Sequence, residues 1–474
     1  MMIDFSIFRE YDIRGIYGQN LTQDIVFGIG VALGEIIKAS SPIDNNQNDS
    51  MHIVIGYDAR THSPTLYQWL KEGLGKSGVK VYHIGMVPTP VAYFATHVPI
   101  DGICAYHSVM ITGSHNPPQY NGFKITLNRK PFYGASIQAL GAKLAQTPIS
   151  FTPSHTQDTS INALKVYHEY LTTHFAKLKN FPYPIALDYG NGVGALGLEA
   201  ILDKLAIPHH SLFHEPNGHF PNHHPDPSEE ANLTDLKNYM EQHNIPIGLA
   251  FDGDADRIAL LTSKHSYKGD ELAILFAKNL AQNGTPPLVI GEVKCSQAMY
   301  EYINKIGKSI MYKTGHSNLK VKLKETGAHL AAEMSGHMFF NDRYFGYDDA
   351  IYAGLRALEL FLEETPQAIE AAIANLPVFY STPEEKIPTS EEDKFTIIQR
   401  LHTLLQTPPA DFPAISEIIS IDGVRVVFKD GWGLVRASNT TPVLVTRFEA
   451  KDPKNAQLYK TKLLELIEHI KSEL

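Results

Sequence analysis

Residues 53–60 read IVIGYDAR and are followed by a helical pattern, LYQWLKEGLGKSG, at residues 66–78. The same order returns later, where PIALDYG (residues 184–190) precedes LGLEAILDKLA (residues 196–206). Short apolar runs that alternate with helical segments are typical of βαβ units and of a mostly parallel sheet. The chain is therefore predicted to be an α/β protein whose ligands bind at the carboxyl ends of its strands.

Length and composition indicate a globular, mildly acidic protein of several domains. The chain has 474 residues, whereas one domain usually has about 100–200. Fifty-one acidic residues against 41 Lys and Arg give a net charge of −10, which disfavours binding to nucleic acid or to an anionic membrane. Only two cysteines, Cys104 and Cys295, are present, which excludes a disulfide framework and fits a reducing, cytoplasmic location.

We expect neither a signal peptide nor a membrane span. The first residues, MMIDFSIFREYDIRG, carry charges where a signal peptide has an apolar core. The longest apolar stretch, residues 25–39, is interrupted by Glu35 and Lys38 and is shorter than the ~20 residues that a span requires. Its helical spacing predicts an amphipathic core helix.

Polar stretches and repeated loops indicate how the chain is divided. DNNQNDS (residues 44–50) is predicted to be a surface loop, and TPSHTQDTS (residues 152–160) a linker between domains. Three times an apolar run stops at a short polar loop that contains glycine, which suits three similar α/β domains. These segments are residues 108–118, 247–257 and 329–337.

The last hundred residues follow a different pattern. IDGVRVVF, WGLVRAS and VLVTRFEA predict strands that are close in sequence, and residues 456–474 predict a helix. This order is typical of a small antiparallel α+β domain. The predicted domains are residues 1–155, 156–265, 266–376 and 377–474.

Three acidic residues follow the apolar run at residues 247–251 at every second position. These are Asp252, Asp254 and Asp256 in the segment DGDADR. Three like charges this close repel one another unless a cation lies among them, and oxygen ligands suit Mg²⁺ or Ca²⁺. An EF-hand is excluded, because its sixth and twelfth loop positions hold Arg257 and Ser263 instead of Gly and Glu. The loop predicts Mg²⁺ held with a phosphate, and a solvated acidic turn is the alternative.

The segment TGSHNPP (residues 112–118) offers a nucleophile. Gly113 permits a strained approach before Ser114, and Pro117 favours the start of a helix whose amides attract anions. A serine in such a place could carry or donate a phosphoryl group. An ordinary polar turn is the alternative, and Asn116 excludes the hydrolase elbow G-x-S-x-G. Taken alone, the downstream Lys124 is more typical of a solvated surface cation.

Two further loops carry polar groups suited to a phosphorylated sugar. EMSGH (residues 333–337) clusters donors and acceptors as the vicinal hydroxyls of a sugar require, although His337 taken alone is more typical of a structural histidine. RASNTT (residues 436–441) places one Arg, three hydroxyls and an amide between two strands, which indicates a phosphate cradle. A polar β-turn is the alternative for the second loop.

Two other patterns favour different functions. GVGALG (residues 192–197) matches G-x-G-x-x-G and is followed by Glu215, so a dinucleotide oxidoreductase is a rival that leaves the other loops unexplained. HFPNHHPDP (residues 219–227) could hold zinc through its histidines. Its prolines and the lack of a fourth ligand favour a structured loop. The histidines are His219, His223 and His224.

Together these segments resemble the α-D-phosphohexomutases, of the bacterial bifunctional phosphomannomutase/phosphoglucomutase type. TGSHNPPQYNGFKI is similar to that family's phosphoserine loop, DGDADR to its metal loop, EMSGH to its sugar-recognition loop and RASNTTP to its phosphate-binding loop. Further similar segments are FREYDIRG, GYDAR, VPTP, FPNHHPDP, EVKCS, KTGHS and FGYDDA. The resemblance implies a heart-shaped enzyme with four domains around a central cleft, three similar mixed α/β domains plus a smaller C-terminal α+β domain. Two departures are Gly113 where many relatives have Ala, and Tyr344 where that branch often has Trp.

The resemblance also implies roles for individual residues. Ser114 would be phosphorylated, and its phosphate would bind Mg²⁺ together with Asp252, Asp254 and Asp256. Lys124 and His337 are the expected general acid and base, with Arg14 and His115 beside the phosphoserine. The implied substrate-binding residues are Tyr11, Arg257, Lys294, His316, Glu333, Ser335, Arg436, Ser438, Asn439 and Thr440.

The implied reaction is an intramolecular phosphotransfer that interconverts hexose 1-phosphate and hexose 6-phosphate. Mannose, glucose or both would serve, because the sugar loop would contact O3 and O4, which the two sugars share. Glucose or mannose 1,6-bisphosphate would be the intermediate, turning over in the cleft, and the activator. The expected partners are small hexose phosphates, and the expected state is a monomer or a weak homo-oligomer. The alternatives are a phosphatase with Asp252 as its nucleophile and a catalytically silent sugar-phosphate sensor.

Overall fold

The computed structural model describes residues 3–40, 51–146, 149–439 and 441–474. The predicted surface loop at residues 44–50 lies outside the described residues. The chain divides into two compact units, the first formed by Met1–Leu272 with Ser335–Glu370 and the second by Ala273–Met334 with Ala371–Leu474. No helix among the described residues combines the length and the apolar character needed to cross a membrane.

The first sheet has the strand order β1-β5-β4-β2-β3-β7, with β6 beside β5. Strands β4, β2, β3 and β7 are parallel, and β5 is antiparallel to both of its main neighbours. The elements of this part are β1 (Ile13–Ile16), α1 (Gln23–Ser40), β2 (His52–Tyr57), α2 (Ser63–Gly75), β3 (Lys80–Met86), α3 (Thr89–Phe94), β4 (His107–Ile111), β5 (Tyr120–Leu127), β6 (Lys130–Pro131), α4 (Ala135–Gln146) and β7 (Asp158–Ser160).

Helix α1 is the predicted amphipathic core helix. Its buried side chains include Ile25, Ile29 and Leu33, which recur at helical spacing and join the core of this part. Helices α1 and α2 pack closely at Gly30. A Cβ atom at this position would lie only 2.4 Å from the Leu70 carbonyl oxygen. The absence of a side chain at Gly30 therefore permits this close approach of the two helices.

The predicted linker at residues 152–160 is wrong in its last three residues. Residues 158–160 form β7, in which Asp158 pairs with Val81 of β3. Asp158 accepts a hydrogen bond from the Tyr67 hydroxyl and lies 3.7 Å from the Lys71 ammonium. These side-chain contacts hold the segment on the sheet edge, although its polar composition alone is typical of a loop.

The second sheet has the strand order β12-β11-β10-β8-β9. Strands β10, β8 and β9 are parallel, and β11 returns antiparallel to β10, so the sheet is mixed rather than fully parallel. Its strands and helices are α5 (Ala163–His174), β8 (Ile185–Asp188), α6 (Gly194–Lys204), β9 (His209–Leu212), α7 (Thr234–His243), β10 (Ile247–Phe251), β11 (Ile258–Thr262) and β12 (Ser266–Tyr267).

The third part repeats the α/β pattern. Strand β13 is parallel to β14 and to β15. Its elements are α8 (Gly269–Gln282), β13 (Leu288–Glu292), α9 (Gln297–Ile306), β14 (Lys308–Tyr312), α10 (His316–Thr326), β15 (Leu330–Ala332), β16 (Met338–Phe340), α11 (Ala350–Glu363) and α12 (Pro366–Ala374).

The fourth part is antiparallel, as its sequence predicts. Strands β22, β21, β20 and β19 lie side by side in that order, with β17 and β18 against β22. Helices α13 and α14 cover a core that includes Leu401, Phe448 and Leu463. The elements are β17 (Tyr380–Ser381), β18 (Glu385–Pro388), α13 (Asp393–Leu404), β19 (Ile415–Ile419), β20 (Val424–Phe428), β21 (Gly431–Ala437), β22 (Val443–Ala450) and α14 (Pro453–Ser472).

Candidate active site

The serine loop follows strand β4, at the carboxyl end of the parallel part of the first sheet. Ser114 is buried and has a φ angle of 49°, a left-handed conformation that is uncommon for a residue with a side chain. Asp58 accepts hydrogen bonds from Thr112 Oγ1 at 2.8 Å and from the Gly113 amide at 3.2 Å. Arg60 donates to the carbonyl oxygens of Ser114 at 2.8 Å and Asn116 at 2.6 Å. Residues from the segment after β2 therefore set the shape of this loop.

The prediction that a helix starts at Pro117 is wrong. Residues 117–119 form a turn that leads directly into strand β5 at Tyr120. The Thr112 amide donates to the Gly122 carbonyl, and β5 pairs antiparallel with β4, so the chain reverses as a hairpin. The pairing of these two strands outweighs the helix-start preference of proline.

The three acidic residues of the second sheet lie against the serine loop. Asp252, Asp254 and Asp256 follow β10, are fully buried, and can each place one carboxylate oxygen within 4.8 Å of the others. Ser114 Oγ donates to Asp252 Oδ2 at 2.8 Å, although 138 residues separate the two in sequence. The two loops on which the sequence argument depends are therefore in contact within the first unit.

Lys124 is a buried member of this cluster and not the solvated cation that it resembles in isolation. Its ammonium lies 2.7 Å from Asp254 Oδ2 and forms a second ion pair with Asp256. Burial lowers the pKa of this amine, but the surrounding aspartates outweigh burial and raise it above the usual range. Lys124 therefore supplies one fixed positive charge among three carboxylates.

The acidic cluster retains oxygen atoms suited to a divalent cation. Asp254 Oδ1 and Asp256 Oδ1 are buried and accept no hydrogen bond from the described residues. Burial and the neighbouring Asp254 and Asp256 raise the pKa of Asp252 well above its usual value, because like charges oppose its ionisation. Buried carboxylate oxygens of this kind are ligands that Mg²⁺ prefers, so the residues present fit that ion.

His337 lies at the edge of the same cluster. Its Nε2 accepts a hydrogen bond from Arg257 Nε at 2.9 Å, and its Nδ1 lies 3.2 Å from Asp348 Oδ2 and 3.6 Å from Asp256 Oδ1. Because Nε2 accepts, the ring proton is assigned to Nδ1, which faces the two carboxylates. Arg257 therefore contacts a ring nitrogen of the predicted acid/base residue.

The loop HFPNHHPDP packs beside the metal loop. A Cβ atom on Gly253 would lie 3.5 Å from Pro225 Cγ, and Asp226 Oδ2 lies 3.8 Å from the Arg257 guanidinium. His223 Nε2 lies 3.1 Å from Asp188, so this histidine is engaged by a carboxylate. The two metal-compatible groups found among the described residues do not include these histidines.

The G-x-G-x-x-G segment also packs on the metal loop. A Cβ atom on Gly192 would lie 2.6 Å from the Gly253 carbonyl oxygen, and the Val193 amide donates to that same oxygen. These glycines therefore allow two loops of the protein to approach closely. That role accounts for the pattern without a dinucleotide.

The remaining residues predicted near the serine are placed as follows. Arg14 on β1 donates to the Gly113 carbonyl at 3.1 Å and to Asn116 Oδ1 at 2.5 Å. His115 Nδ1 lies 3.2 Å from Ser114 Oγ, and burial, followed by the charge of Arg257, lowers the pKa of this imidazole well below its usual value. Tyr11 is half-buried in the turn before β1. His115 thus contacts Ser114 directly, and Arg14 contacts loop residues on either side of it.

The other predicted substrate-binding residues lie mostly in the second unit. The Gly315 amide, one residue before His316, donates to Glu333 Oε1 at 2.5 Å, and the Lys294 ammonium lies 3.1 Å from Glu384. Arg436 is buried and pairs with Asp422 at 3.1 Å. Ser438 is buried, Asn439 is half-buried, and Ser335 belongs to the first unit. Thr440 lies outside the described residues.

Several functional contacts come from segments that matched by resemblance without an assigned role. Thr89 Oγ1 in VPTP donates to Asp254 Oδ2 at 2.5 Å, and Glu292 accepts from Thr314 Oγ1 at 2.9 Å. The Thr314 amide also donates to Asp422, which joins two loops of the second unit. The sequence pattern that could have indicated these residues is a polar residue directly after an apolar run. The partner of each residue can be identified only from the structure.

Comparison with known proteins identifies the family. Models of phosphoglucomutase/phosphomannomutase α/β/α domains I, II and III match residues 6–147, 165–265 and 268–379, and the model of the C-terminal domain matches residues 384–466. The chain belongs to the phosphoglucomutase/phosphomannomutase family. The prediction of three α/β domains followed by a different C-terminal domain is thereby confirmed.

Relatives of this family align over nearly the whole chain. A phosphomannomutase/phosphoglucomutase of Pseudomonas aeruginosa is 39% identical over 99% of this chain and 97% of its own. A phosphoglucomutase of Neisseria gonorrhoeae is 41% identical over 94% of this chain and 93% of its own. The crystal structure of a family protein from Burkholderia thailandensis superposes with a TM-score of 0.86 at 35% identity, covering 99% of this chain and 98% of that one.

Proposed function

We propose that the protein interconverts hexose 1-phosphates and hexose 6-phosphates, with Ser114 as the phosphate carrier. The observation that carries the proposal is the 2.8 Å hydrogen bond from Ser114 Oγ to Asp252, which joins the nucleophile to the buried acidic cluster. The names of the relatives support glucose and mannose as the sugars.

Asp252, Asp254 and Asp256 would hold Mg²⁺, together with the phosphate on Ser114. The bound ion would neutralise the charge that develops as the phosphoryl group moves. Lys124 holds a positive charge against Asp254 and Asp256, and Arg14 donates beside Ser114. These residues would orient the phosphoserine and stabilise the transferring group, which is most of what phosphoryl transfer requires.

Two transfers would complete the reaction. In the first, a free hydroxyl of the hexose phosphate attacks phosphorus and the bond to Ser114 Oγ breaks. The hydroxyl proton ends on the departing Ser114 oxygen, with His337 and Lys124 as the acid/base candidates for this transfer. The 1,6-bisphosphate then turns over while still bound. In the second, Ser114 Oγ attacks the other phosphate, and the sugar oxygen that leaves takes up the proton.

The second unit would recognise the sugar and its non-reacting phosphate. Glu333 would accept hydrogen bonds from the sugar hydroxyls, and Lys294 and His316 would line the same site. The phosphate would be bound by donors of the fourth part. These donors are Arg436, Ser438, Asn439 and Thr440. We also propose that the four domains span residues 1–155, 156–265, 266–376 and 377–474, with β7 at the start of the second segment paired to β3 of the first sheet.

A coupled assay tests the proposal. Glucose 1-phosphate and mannose 1-phosphate are supplied separately with Mg²⁺ and a trace of the bisphosphate, and formation of the 6-phosphate is followed. We expect turnover with at least one sugar and a mass increase of one phosphate on the Ser114 peptide. Release of free phosphate with unmodified Ser114 would support the phosphatase with Asp252 as nucleophile instead. Binding without turnover would support the sensor.

A further inference from the structure

The loop HFPNHHPDP has no assigned role in the reaction, yet it places a buried carboxylate beside the active site. Asp226 is 8% exposed. Its Oδ1 accepts hydrogen bonds from the Ser228 amide at 3.1 Å and the Ser228 hydroxyl at 2.7 Å. Its backbone is fixed as well, since the Asn232 amide group donates to the Asp226 carbonyl at 2.9 Å. The loop itself thus holds Oδ1, whereas Oδ2 is available to a residue outside the loop.

The outward oxygen faces Arg257. Asp226 Oδ2 lies 3.8 Å from one terminal nitrogen of the Arg257 guanidinium, while Nε of the same side chain donates to His337 Nε2 at 2.9 Å. The guanidinium is planar, so fixing one edge of it sets the direction of the other. Asp348 approaches the far side of the His337 ring at 3.2 Å. The four side chains therefore form a series of contacts from the loop through Arg257 and His337 to Asp348.

We propose that Asp226 is a positioning residue, whose carboxylate orients Arg257 and, through it, the imidazole of His337. The inference rests on the proposed function insofar as His337 moves a proton in the reaction. Without the charge of Asp226, Arg257 is free to turn toward the other carboxylates of the site, among them Asp252 and Asp256. The imidazole then loses the partner that fixes its Nε2, and the proton transfer loses its alignment.

A second interpretation is that Asp226 only stabilises its own turn through Ser228. Two substitutions separate the interpretations. Asp226→Asn retains an oxygen that can accept from Ser228 but removes the charge. Asp226→Glu retains the charge but disturbs the Ser228 contacts. If the residue positions Arg257, Asn is the damaging substitution and Glu restores activity, because a misalignment of about 1 Å can cost on the order of 10²-fold in rate.

The kinetic test uses the full-length protein with Mg²⁺ present. We expect Asp226→Asn to lower kcat by about 10- to 100-fold with KM within about threefold, the pattern of an interaction realised mainly in the transition state. We expect Asp226→Glu to recover most of this loss. In an Arg257→Ala background, Asp226→Asn should change kcat less than about twofold, since residues that act through one another are not additive. His223→Ala, which loosens the same loop at Asp188, is the matched control and should retain kcat within about twofold.

A readout without turnover keeps the inference separate from the proposed function. The ¹⁵N resonances of His337, assigned with His337→Asn, should report a ring with its proton on Nδ1 in the wild-type protein. They should shift in Asp226→Asn and not in His223→Ala. Wild-type resonances together with wild-type kcat in Asp226→Asn would overturn the inference, as would additive losses with Arg257→Ala. If the wild-type protein lacked mutase activity, the proposed function would fail while the resonances still tested the positioning.

Discussion

Ser114 Oγ and Asp252 Oδ2 are joined by a 2.8 Å hydrogen bond that links the first and second sheets. Asp252 Oδ1 is also occupied, because it accepts from the amides of Asp256 at 3.0 Å and Arg257 at 3.1 Å. Both oxygens of the carboxylate are therefore oriented by the protein. A phosphate on Ser114 would face this anion, and a divalent cation between the two would relieve the repulsion.

Replacement of Ser114 by alanine should abolish the mutase reaction while leaving the fold intact. We expect Ser114→Ala to show less than about 1% of wild-type turnover, because the phosphate carrier is gone. The loss of one hydrogen bond to Asp252 should cost about 1–3 kcal/mol of stability. Turnover is measured in the coupled assay, and thermal unfolding serves as the control for folding. Near-normal turnover in this variant would contradict the assignment of Ser114.

Removal of divalent metal should stop the reaction reversibly. We expect EDTA to eliminate activity and Mg²⁺ to restore it, because Asp252, Asp254 and Asp256 otherwise face the phosphoserine as a cluster of like charges that Lys124 offsets in part. Calorimetric titration should also show tighter Mg²⁺ binding to the Ser114-phosphorylated protein than to the unphosphorylated one. Full activity in chelator, or equal affinities in the two forms, would argue against the acidic cluster as the metal site.

Substitution of Lys124 should make the stability of the protein depend on Mg²⁺. In Lys124→Met, Asp254 and Asp256 lose a buried ion-pair partner, and breaking such a pair costs about 3–5 kcal/mol. We expect a clear fall in Tm in chelator and a larger rise in Tm on addition of Mg²⁺ than the wild-type protein shows. Lys143→Met is the matched control, since the Lys143–Glu35 pair is about half exposed and should contribute little. Equal Mg²⁺ responses in both variants would refute this account of Lys124.

The buried carboxyl of Asp349 should make stability fall as the pH rises. Burial raises the pKa of Asp349 from 3.8 to about 7, although hydrogen bonds from the Tyr352 amide and the Tyr344 and Tyr167 hydroxyls oppose the shift. A carboxyl with a higher pKa in the folded state binds its proton more tightly when folded, so stability is lost between about pH 4 and pH 7. The shift corresponds to roughly 4 kcal/mol at most.

The Asp349→Asn variant tests this pH dependence. Asparagine can still cap helix α11 by accepting from the Tyr352 amide, as Asp349 does at 2.8 Å, but it does not ionise. The difference in Tm between the variant and the wild-type protein should therefore move in favour of the variant from pH 5 to pH 8. A difference in Tm that stays constant over this range would show that Asp349 does not titrate there.

Local sequence was sufficient to predict that two polar loops follow apolar strands, but not to identify the side chains that contact those loops. The spacing in DGDADR and the order of polar residues in TGSHNPP predicted a metal loop and a serine loop, because each lies directly after an apolar strand. Lys124 could not be placed in the same way, since its burial depends on the aspartates that surround it, about 130 residues further along the chain. Asp226 and Arg60 likewise owe their roles to groups remote in sequence, the Arg257 guanidinium and the backbone carbonyls of the serine loop respectively.

Two sequence interpretations failed because long-range pairing outweighed local preference. Residues 117–119 turn into the β4–β5 hairpin instead of a helix, and residues 158–160 join the first sheet instead of a linker. Tyr344 has a structural role that its local sequence does not indicate. Its hydroxyl donates to Asp349 at 2.9 Å and its ring stacks on Tyr352, so this position shapes a buried polar cluster.

The Arg60 guanidinium, which comes from another part of the chain, holds the backbone of the serine loop in place. Besides its contacts with Ser114 and Asn116, Arg60 donates to the carbonyl oxygens of Pro117 at 2.7 Å and Tyr120 at 3.0 Å. The left-handed backbone at Ser114 is thus held by a side chain more than fifty positions upstream. If TGSHNPP is transferred to another protein scaffold, we expect the loop to keep this conformation only when GYDAR is transferred with it.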